Sequence, residues 1–356
     1  MAQADKKKIM VALSGGVDSS VTALLLKKEG IDCMGGCMRL HSAERGDVCS
    51  SDADIADAEA VAKKLGMTFF VFDFSSDFEK TVINRFVSAY ENGRTPNPCI
   101  DCNRYLKFEK LFESARELGC DAIATGHYAR IEQDPSTGRY LLKKAADHAK
   151  DQSYVLWSLS QDQLARTLFP LGGMTKERIR EIAHENGLIN AAKRDSQDIC
   201  FVPDGKYVAF LEEYTKKSYP EGDFLLADGT KIGRHRGIVR YTVGQKKGLG
   251  LVLPEPLYVR AVDPIQNTVT LCKNEELFSR ELTATGINLI ACERIDAPIR
   301  LKARIRYRHV EQWATVWQSG KDRIHVLFDE PQRAITKGQS VVLYDGDTVF
   351  GGGIIE

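Results

Sequence analysis

Ser14-Gly15-Gly16-Val17-Asp18-Ser19-Ser20 follows an apolar run at 9–13 and opens a helical pattern at 21–28. Strand, glycine turn and helix start in that order build an anion site. Successive backbone N–H groups and the positive end of the helix point at one spot. Asp18 and Ser19 are expected to cap the helix. No lysine follows the glycines, so this is not a Walker A loop, which ends in GK[ST].

Outward from this loop, short apolar runs at 9–13, 31–38, 68–74 and 121–125 alternate with helical patterns at 19–29, 55–65, 78–91 and 107–118. Gly30, Gly66, Gly93 and Gly119 each fall just past a helical run, where a left-handed residue closes the helix. This alternation predicts an α/β fold with a parallel, doubly wound sheet and ligands at the carboxyl ends of the strands. Further helix is expected at 161–168 and 175–186. Beyond about Tyr214 the texture changes to strands separated by turns, at 237–243, 257–262 and 268–271. From about Leu282 the chain alternates throughout, with breaks at Asp322, Pro331, Gly338 and Asp345-Gly346, and reads as a small antiparallel barrel. Three domains are expected: 1–213 carrying the loop, a central β-rich domain at 214–279, and a C-terminal β-barrel at 280–356.

The chain has 356 residues, 28% of them charged, with 49 basic against 49 acidic side chains. Net charge is zero, so a polyanionic partner would have to meet local basic patches. No run approaches the length of a membrane span, and the apolar run near the amino terminus is too short for a signal peptide. A cytoplasmic protein is expected. Nine cysteines at irregular spacing argue for reactive or metal-binding thiols rather than a disulfide framework.

Cys99 and Cys102 form a CxxC in the proline-rich stretch Pro96-Asn97-Pro98-Cys99-Ile100-Asp101-Cys102, which reads as a displayed loop. Cys200 lies in Asp195-Ser196-Gln197-Asp198-Ile199-Cys200. A closed zinc site would need a second pair of ligands, and no second CxxC exists. A thioredoxin-like pair would follow a first strand, which this one does not. Cys33, Cys37, Cys49, Cys120, Cys272 and Cys292 read as small apolar fillers, and Asp195 and Asp198 as helix caps. The loop is similar to that of ATP pyrophosphatases, and this resemblance, taken with displayed thiols, implies that ATP activates a carbonyl oxygen and that sulfur, carried on a thiolate, replaces it.

The SGGxDS spacing resembles the pyrophosphate loop of N-type ATP pyrophosphatases, which split ATP between its α and β phosphates and adenylate a substrate oxygen. Across essentially the whole chain, the motifs ALSGGVDSS (12–20), GCMRL (36–40), NPCIDCNRYLKF (97–108), ATGHYAR (124–130), KDQSYVLWSL (150–159), DSQDICFV (195–202), YTVGQKKGLG (241–250) and RIRYRH (304–309) resemble the bacterial tRNA-specific 2-thiouridylases. That family makes 2-thiouridine at wobble uridine 34 of the tRNAs for Lys, Glu and Gln. The resemblance implies ATP contacts at Ala12, Leu13, Ser14, Gly15, Gly16, Val17, Asp18, Ser19, Met38 and Gly126. It implies tRNA contacts at His127, Lys150, Asp151, Gln152, Arg306, Tyr307 and Gln339, with Cys102 as nucleophile and Cys200 as the persulfide-forming cysteine. A sulfur donor such as a cysteine desulfurase or sulfur-relay protein is implied as a partner. Mg²⁺ is expected beside Asp18, because phosphoryl oxygens are its usual ligands.

Many members of the family carry Asp at the position of Cys99, and the role of that Asp cannot be transferred here. The CxxC-plus-Cys form resembles sulfur transferases in which three cysteines hold an iron–sulfur cluster. Cys99, Cys102 and Cys200 supply the ligand number for a four-iron cluster with one iron open to hydrosulfide. Persulfide and cluster routes use the same three residues, and both stay open at this level.

In Arg300-Leu301-Lys302-Ala303-Arg304-Ile305-Arg306-Tyr307-Arg308 five cations alternate with apolar or aromatic residues, which predicts a basic stripe over a buried face. Five like charges on one face point to nucleic acid rather than to a merely solvated edge. A second basic cluster comprises Arg234, His235, Arg236, Arg240, Lys246 and Lys247. Read without the resemblance, His127 is a structural histidine. Two other functions fit the loop: an ATP-dependent amidating ligase, which usually brings a glutaminase domain, and a non-enzymatic ATP- and RNA-binding redox sensor.

Overall fold

The computed structural model describes residues 7–40, 51–193, 199–202 and 205–356. Cys49, Asp195 and Asp198 lie outside them. The chain divides into two compact units. One comprises Met1–Val82, Cys99–Phe201 and Asp347–Phe350, the other Ile83–Pro98, Val202–Gly346 and Gly351–Glu356.

The first unit is built on β1 (Lys8–Ala12), α1 (Val17–Lys28), β2 (Asp32–Arg39), α2 (Asp52–Lys64) and β3 (Phe69–Asp73). A short helix, α3 (Ser75–Phe78), leads into a π-helical turn at Glu79–Ile83, and the α4 helix that follows (Asn84–Glu91) belongs to the second unit. The CxxC stretch opens α5 (Pro98–Asp101), widens into a π-helix over Cys102–Lys110 and closes as α6 (Leu111–Glu117). Then come β4 (Ala122–Ala124), the hairpin β5 (Ala129–Gln133) and β6 (Tyr140–Lys144), α7 (Gln161–Ala165), β7 (Thr167–Leu168) and α8 (Lys176–Glu185).

The parallel sheet has the order β3-β2-β1-β4-β7. Connections run one way from β1 to β2 and the other way to β4, so the switch point lies beside the loop that leaves β1. One apolar cluster fills the sheet with Ile9, Val11, Leu13, Leu26, Ile55 and Ala62. A second joins α1 to α8 through Val17, Val21, Leu24, Ile179 and Ile182. Full burial of such a side chain contributes about 1.5–3 kcal/mol. Between the two clusters α1 buries eight of its twelve residues, including Ser19, Ser20 and Thr22. A helix clad on both sides holds its N-terminus, and hence the loop, in one place.

The second unit contains α9 (Tyr207–Thr215) and a four-stranded sheet made of β8 (Gly222–Leu225), β9 (Lys231–His235), β10 (Tyr258–Asp263) and β11 (Thr268–Cys272), in the order β10-β11-β8-β9. After it come β12 (Phe278–Leu289), β13 (Ile299–Arg304), β14 (Gln312–Gln318), β15 (Arg323–Arg333), β16 (Ser340–Asp345) and β17 (Thr348–Ile355). They follow the order β12-β15-β14-β13-β16-β17, and residues 351–355 of β17 pair back onto β12, which closes the barrel.

Gly30, Gly66, Gly93 and Gly119 all have positive φ, as the helix ends require. Several expectations are corrected. The helix expected at 161–168 stops at Ala165, and Thr167–Leu168 pairs in parallel with β4; two residues are too few for a periodic signal. The strand expected at 237–243 is a 3-10 turn over Ile238–Arg240, because Gly237 at φ 97° redirects the chain, while β8 and β9 carried no clear alternation. Pro331 does not break β15 but sits in it where the register with β12 shifts, a place that needs no ladder N–H. Cys33, Cys37, Cys120 and Cys272 are buried fillers, and burial pushes the Cys33 and Cys37 thiols up to about 11. Cys292 is only half-buried. Among the described residues, no helix is long and apolar enough to cross a membrane.

Candidate active site

The helix after the loop begins at Val17 with Gly16 as its N-cap, and no side chain caps it. Asp18 and Ser19 therefore do not cap, because both lie within the first turn. Leaving the first N–H groups without a side-chain acceptor is the condition for an external anion at that end. Internal hydrogen bonds fix the loop instead. Ser14 N–H donates to Ser19 Oγ at 3.1 Å, and the Ser19 and Ser20 hydroxyls donate to the Gly16 carbonyl at 3.1 and 2.9 Å.

Asn190 supplies the decisive clamp. Its Nδ2 lies 3.1 Å from the Gly15 carbonyl, 3.2 Å from that of Gly16 and 2.7 Å from Ser20 Oγ. In a trans peptide, a carbonyl and the next N–H point opposite ways. Drawing the two carbonyls toward Asn190 turns the N–H groups of Gly16 and Val17 to the other side. Nearby, Lys193 Nζ bonds Asp54 and Asp57 of α2, each at 2.7 Å. Gly15 has φ +71°, and a Cβ there would come within 2.3 Å of the Asp54 carbonyl, so only glycine fits.

Asp18 accepts from Tyr128 Oη at 2.7 Å and from Lys176 Nζ at 2.8 Å on both carboxylate oxygens. Gly126 packs on the same turn, where a Cβ would lie 2.8 Å from the Asp18 carbonyl carbon and the Ser19 nitrogen. Ala12 ends β1, Leu13 donates to the Gly36 carbonyl, and half-buried Met38 lies in the neighbouring β2. The residues expected around ATP thus gather at one end of the sheet.

His127, expected to contact tRNA, is buried. It is 8% exposed, with Nδ1 2.7 Å from Thr125 Oγ1 and its ring against Phe108 and Phe169. Burial, with Lys107 adding to it, holds its pKa well below the usual histidine value. Asp151 is also buried, accepting from the Ala145 and Ser153 N–H groups and from Ser153 Oγ, bonds that organise its loop. Gln152 Oε1 accepts from Tyr128 N–H at 2.9 Å, and Lys150 is half-buried.

Cys102 is buried where the helix widens into its π-helical segment, a form common at functional sites. Burial pushes its thiol up to about 12; Lys107 opposes this, and Cys200, Cys99 and Asp101 reinforce it. In a π-helix, residues five apart share a face, which puts Lys107 on the side of Cys102. Burial also raises the Cys99 thiol, and Cys200 raises it further, although Cys99 keeps exposed surface. The three sulfurs thus lie within electrostatic reach of one another, and Cys200 is exposed. Among the described residues, no three His, Cys, Asp or Glu side chains are arranged to hold a single metal ion. A cavity of about 350 Å³ lined by Arg104, Phe108, Phe112, Arg116 and Arg166 contains neither loop nor cysteine residues.

In the second unit the expected basic stripe is partly neutralised. Leu301, Ala303 and Ile305 are buried as expected, but Tyr307 is 39% exposed because β13 ends at Arg304. Arg300 forms a two-pronged pair with Asp329 at 2.7 and 2.6 Å, and Arg304 pairs with Glu311 at 3.0 Å. Arg306 and Arg308 follow in the turn. Gln339 Nε2 donates to the Thr95 carbonyl at 2.8 Å, a bond that ties backbone segments together.

Sequence reasoning missed Lys176, Asn190, Tyr128 and Lys107. Lys176 carried a signal, since a lysine directly after the N-cap Thr175 opposes the helix field. Asn190 carried none.

Residues 7–204 match the family described as tRNA methyl transferase HUP domain, 208–273 its PRC-barrel domain, and 279–355 the aminomethyltransferase beta-barrel domain. The chain is 49% identical to the tRNA-specific 2-thiouridylase MnmA of Clostridioides difficile (strain 630) over 98% of each chain. It is 48% identical to the protein of that name from Acetivibrio thermocellus over 99% of each. A 4-thiouridine synthetase–RNA complex with bound ATP overlaps 58% of this chain and 50% of its own at 18% identity and a TM-score of 0.37, too distant to carry an argument. The domain descriptions speak of methyl transfer, but likeness over the full length is to thiouridylases. A loop built for an anion, three neighbouring thiols and relatives this alike from end to end place the chain in the tRNA-specific 2-thiouridylase family.

Proposed function

We propose that the protein is an ATP-dependent tRNA-uridine 2-sulfurtransferase acting on wobble uridine 34 of the tRNAs for Lys, Glu and Gln, in the cytoplasm. The observation that carries this reading is that one compact unit holds both the uncapped, Asn190-clamped loop and the neighbouring thiols of Cys99, Cys102 and Cys200. Residues 12–19, Met38 and Gly126 bind ATP in this reading. Asp18 is the carboxylate that would hold Mg²⁺, which when bound would offset charge on the phosphates. The uracil 2-oxygen attacks the α-phosphorus and pyrophosphate leaves.

A persulfide on Cys200, loaded by a protein sulfur donor, attacks C2 through its terminal sulfur. The Cys102 thiolate attacks Cys200 Sγ and forms a Cys102–Cys200 disulfide. The bond to the transferred sulfur breaks, AMP departs with the old oxygen, and a dithiol reductant resets the pair. Because Cys102 is buried and protonated as described, its activation requires exposure or the approach of Lys107. Arg306 and Tyr307 contact tRNA in this reading. The test is tRNA-dependent pyrophosphate release together with sulfur incorporation from a persulfide donor. Transfer of ammonia instead of sulfur would favour an amidating ligase, and ATP binding without pyrophosphate release would favour a sensor.

A further inference from the structure

Lys176 is the first residue of α8, directly after the N-cap Thr175, whose Oγ1 accepts from Arg178 N–H. A cation there is opposed by the positive end of its own helix. It is also 8% exposed, and a buried ammonium is costly unless paired. A sequence that accepts both penalties at one position has a compensating reason, and such conflicts concentrate at functional sites. The local partner is Asp18, bound through both oxygens at 2.8 Å, with Tyr128 Oη on the same carboxylate. The start of α8 is anchored independently, since Lys176 N–H donates to Asp147 Oδ2 at 3.1 Å.

Asp18 is itself an anion in the first turn of α1, where an incoming phosphate would compete with it for the same N–H groups and helix field. Unpaired, it would repel that phosphate; paired with Lys176, it does not. We propose that Lys176 is a triphosphate-binding residue of the loop, its ammonium held ready on Asp18 and passing to the phosphate oxygens when ATP arrives. No covalent bond changes in this exchange: one charge-assisted pair replaces another. The proposal rests on the ATP-dependent reading above.

A double-mutant cycle tests it by titrating ATP calorimetrically into wild type, Lys176→Met, Lys176→Arg, Asp18→Asn and the Asp18→Asn/Lys176→Met pair. Lys176→Met is expected to weaken ATP binding by about tenfold to a hundredfold, the range of a hydrogen bond to a charged group. Lys176→Arg should retain most of the affinity. In the Asp18→Asn background Lys176→Met should still weaken binding, because the phosphate contact does not depend on the carboxylate. If the loss disappears there, Lys176 is only a counter-ion for Asp18 and the proposal is overturned. Should Lys176→Met fail to fold, Lys176→Gln carries the same expectation. Wild type that binds no ATP overturns the functional reading and this proposal with it, whereas normal ATP binding by Lys176→Met overturns the proposal alone.

Discussion

The side-chain amide of Asn190 donates to the carbonyl of Gly15, 175 positions away in the chain, at 3.1 Å. This bond and its companion to Gly16 set which way the loop peptides face. Asn190→Ala is expected to cost about 1–3 kcal/mol of stability, since two carbonyls and the Ser20 hydroxyl lose a donor. It should also weaken ATP binding, because the Gly16 and Val17 N–H groups lose their fixed direction. Chemical denaturation and ATP titration of one variant measure both. Unchanged ATP affinity in a destabilised variant would reduce Asn190 to a packing role.

Asp18→Ala is expected to abolish adenylation. From the sequence, a loop at the surface end of a strand should tolerate the change, but Asp18 holds Lys176 and Tyr128. Truncation leaves a buried ammonium without that partner, so a loss of about 1–3 kcal/mol should accompany the loss of activity. Pyrophosphate release and a urea melt give the two readings. Normal pyrophosphate chemistry in this variant would remove the pyrophosphate-loop assignment.

The parallel sheet and the loop were legible because their signals are local: apolar runs, a glycine turn and glycines at helix ends all act within a few residues. Asn190 was not, and Lys176 showed only as a lysine oddly placed after an N-cap, because each acquires its meaning from a partner more than a hundred positions away. The basic stripe was half legible. Alternation correctly put Leu301 and Ala303 inside, but the carboxylates facing Arg300 and Arg304 come from β15 and from Glu311, beyond any local reading.

Those partners change what the stripe can be asked to do. Arg304→Ala should lower stability by about 2–3 kcal/mol, since Glu311, with a side chain 11% exposed, would lose its counter-charge. Arg306→Ala should leave stability alone and weaken tRNA binding, flattening the log–log salt slope by about one unit if it meets one phosphate. Filter binding across a salt series checks this. An unchanged slope would make Arg306 a solvated residue.

His127 gives a pH prediction. Its imidazole is neutral in the fold because burial holds the pKa well below the usual value. In the unfolded chain it takes a proton below about pH 6.5. There the unfolded state binds more protons, so the contribution of His127 is complete above about pH 6.5 and is lost as pH falls toward the folded value. His127→Gln should flatten this acid limb by up to about 1.4 kcal/mol per pH unit. Urea denaturation of both proteins between about pH 5 and pH 7.5 makes the comparison, and parallel curves would contradict a neutral buried imidazole.

The thiols carry the most demanding test. Cys102→Ser and Cys200→Ser should each eliminate sulfur transfer while ATP still binds, because a serine of nearly equal volume can carry neither a persulfide nor, with ordinary affinity, a cluster iron. The raised Cys102 thiol adds a signature: without substrate, its alkylation should keep rising about tenfold per pH unit past the ordinary cysteine value near 8.5. A plateau near that value would mean that Cys102 is open to water at rest. Lys107→Met should slow the alkylation further, since that cation opposes the rise. Cys99 separates the two sulfur routes. A persulfide relay needs only Cys102 and Cys200, so Cys99→Ser should keep substantial thiolation and the purified protein should work without iron. A three-thiolate cluster would instead lose iron and activity together in that variant. Anaerobic purification with iron and sulfide analysis, beside a thiolation assay of wild type and Cys99→Ser, decides between them: thiolation that tracks iron content would overturn the relay.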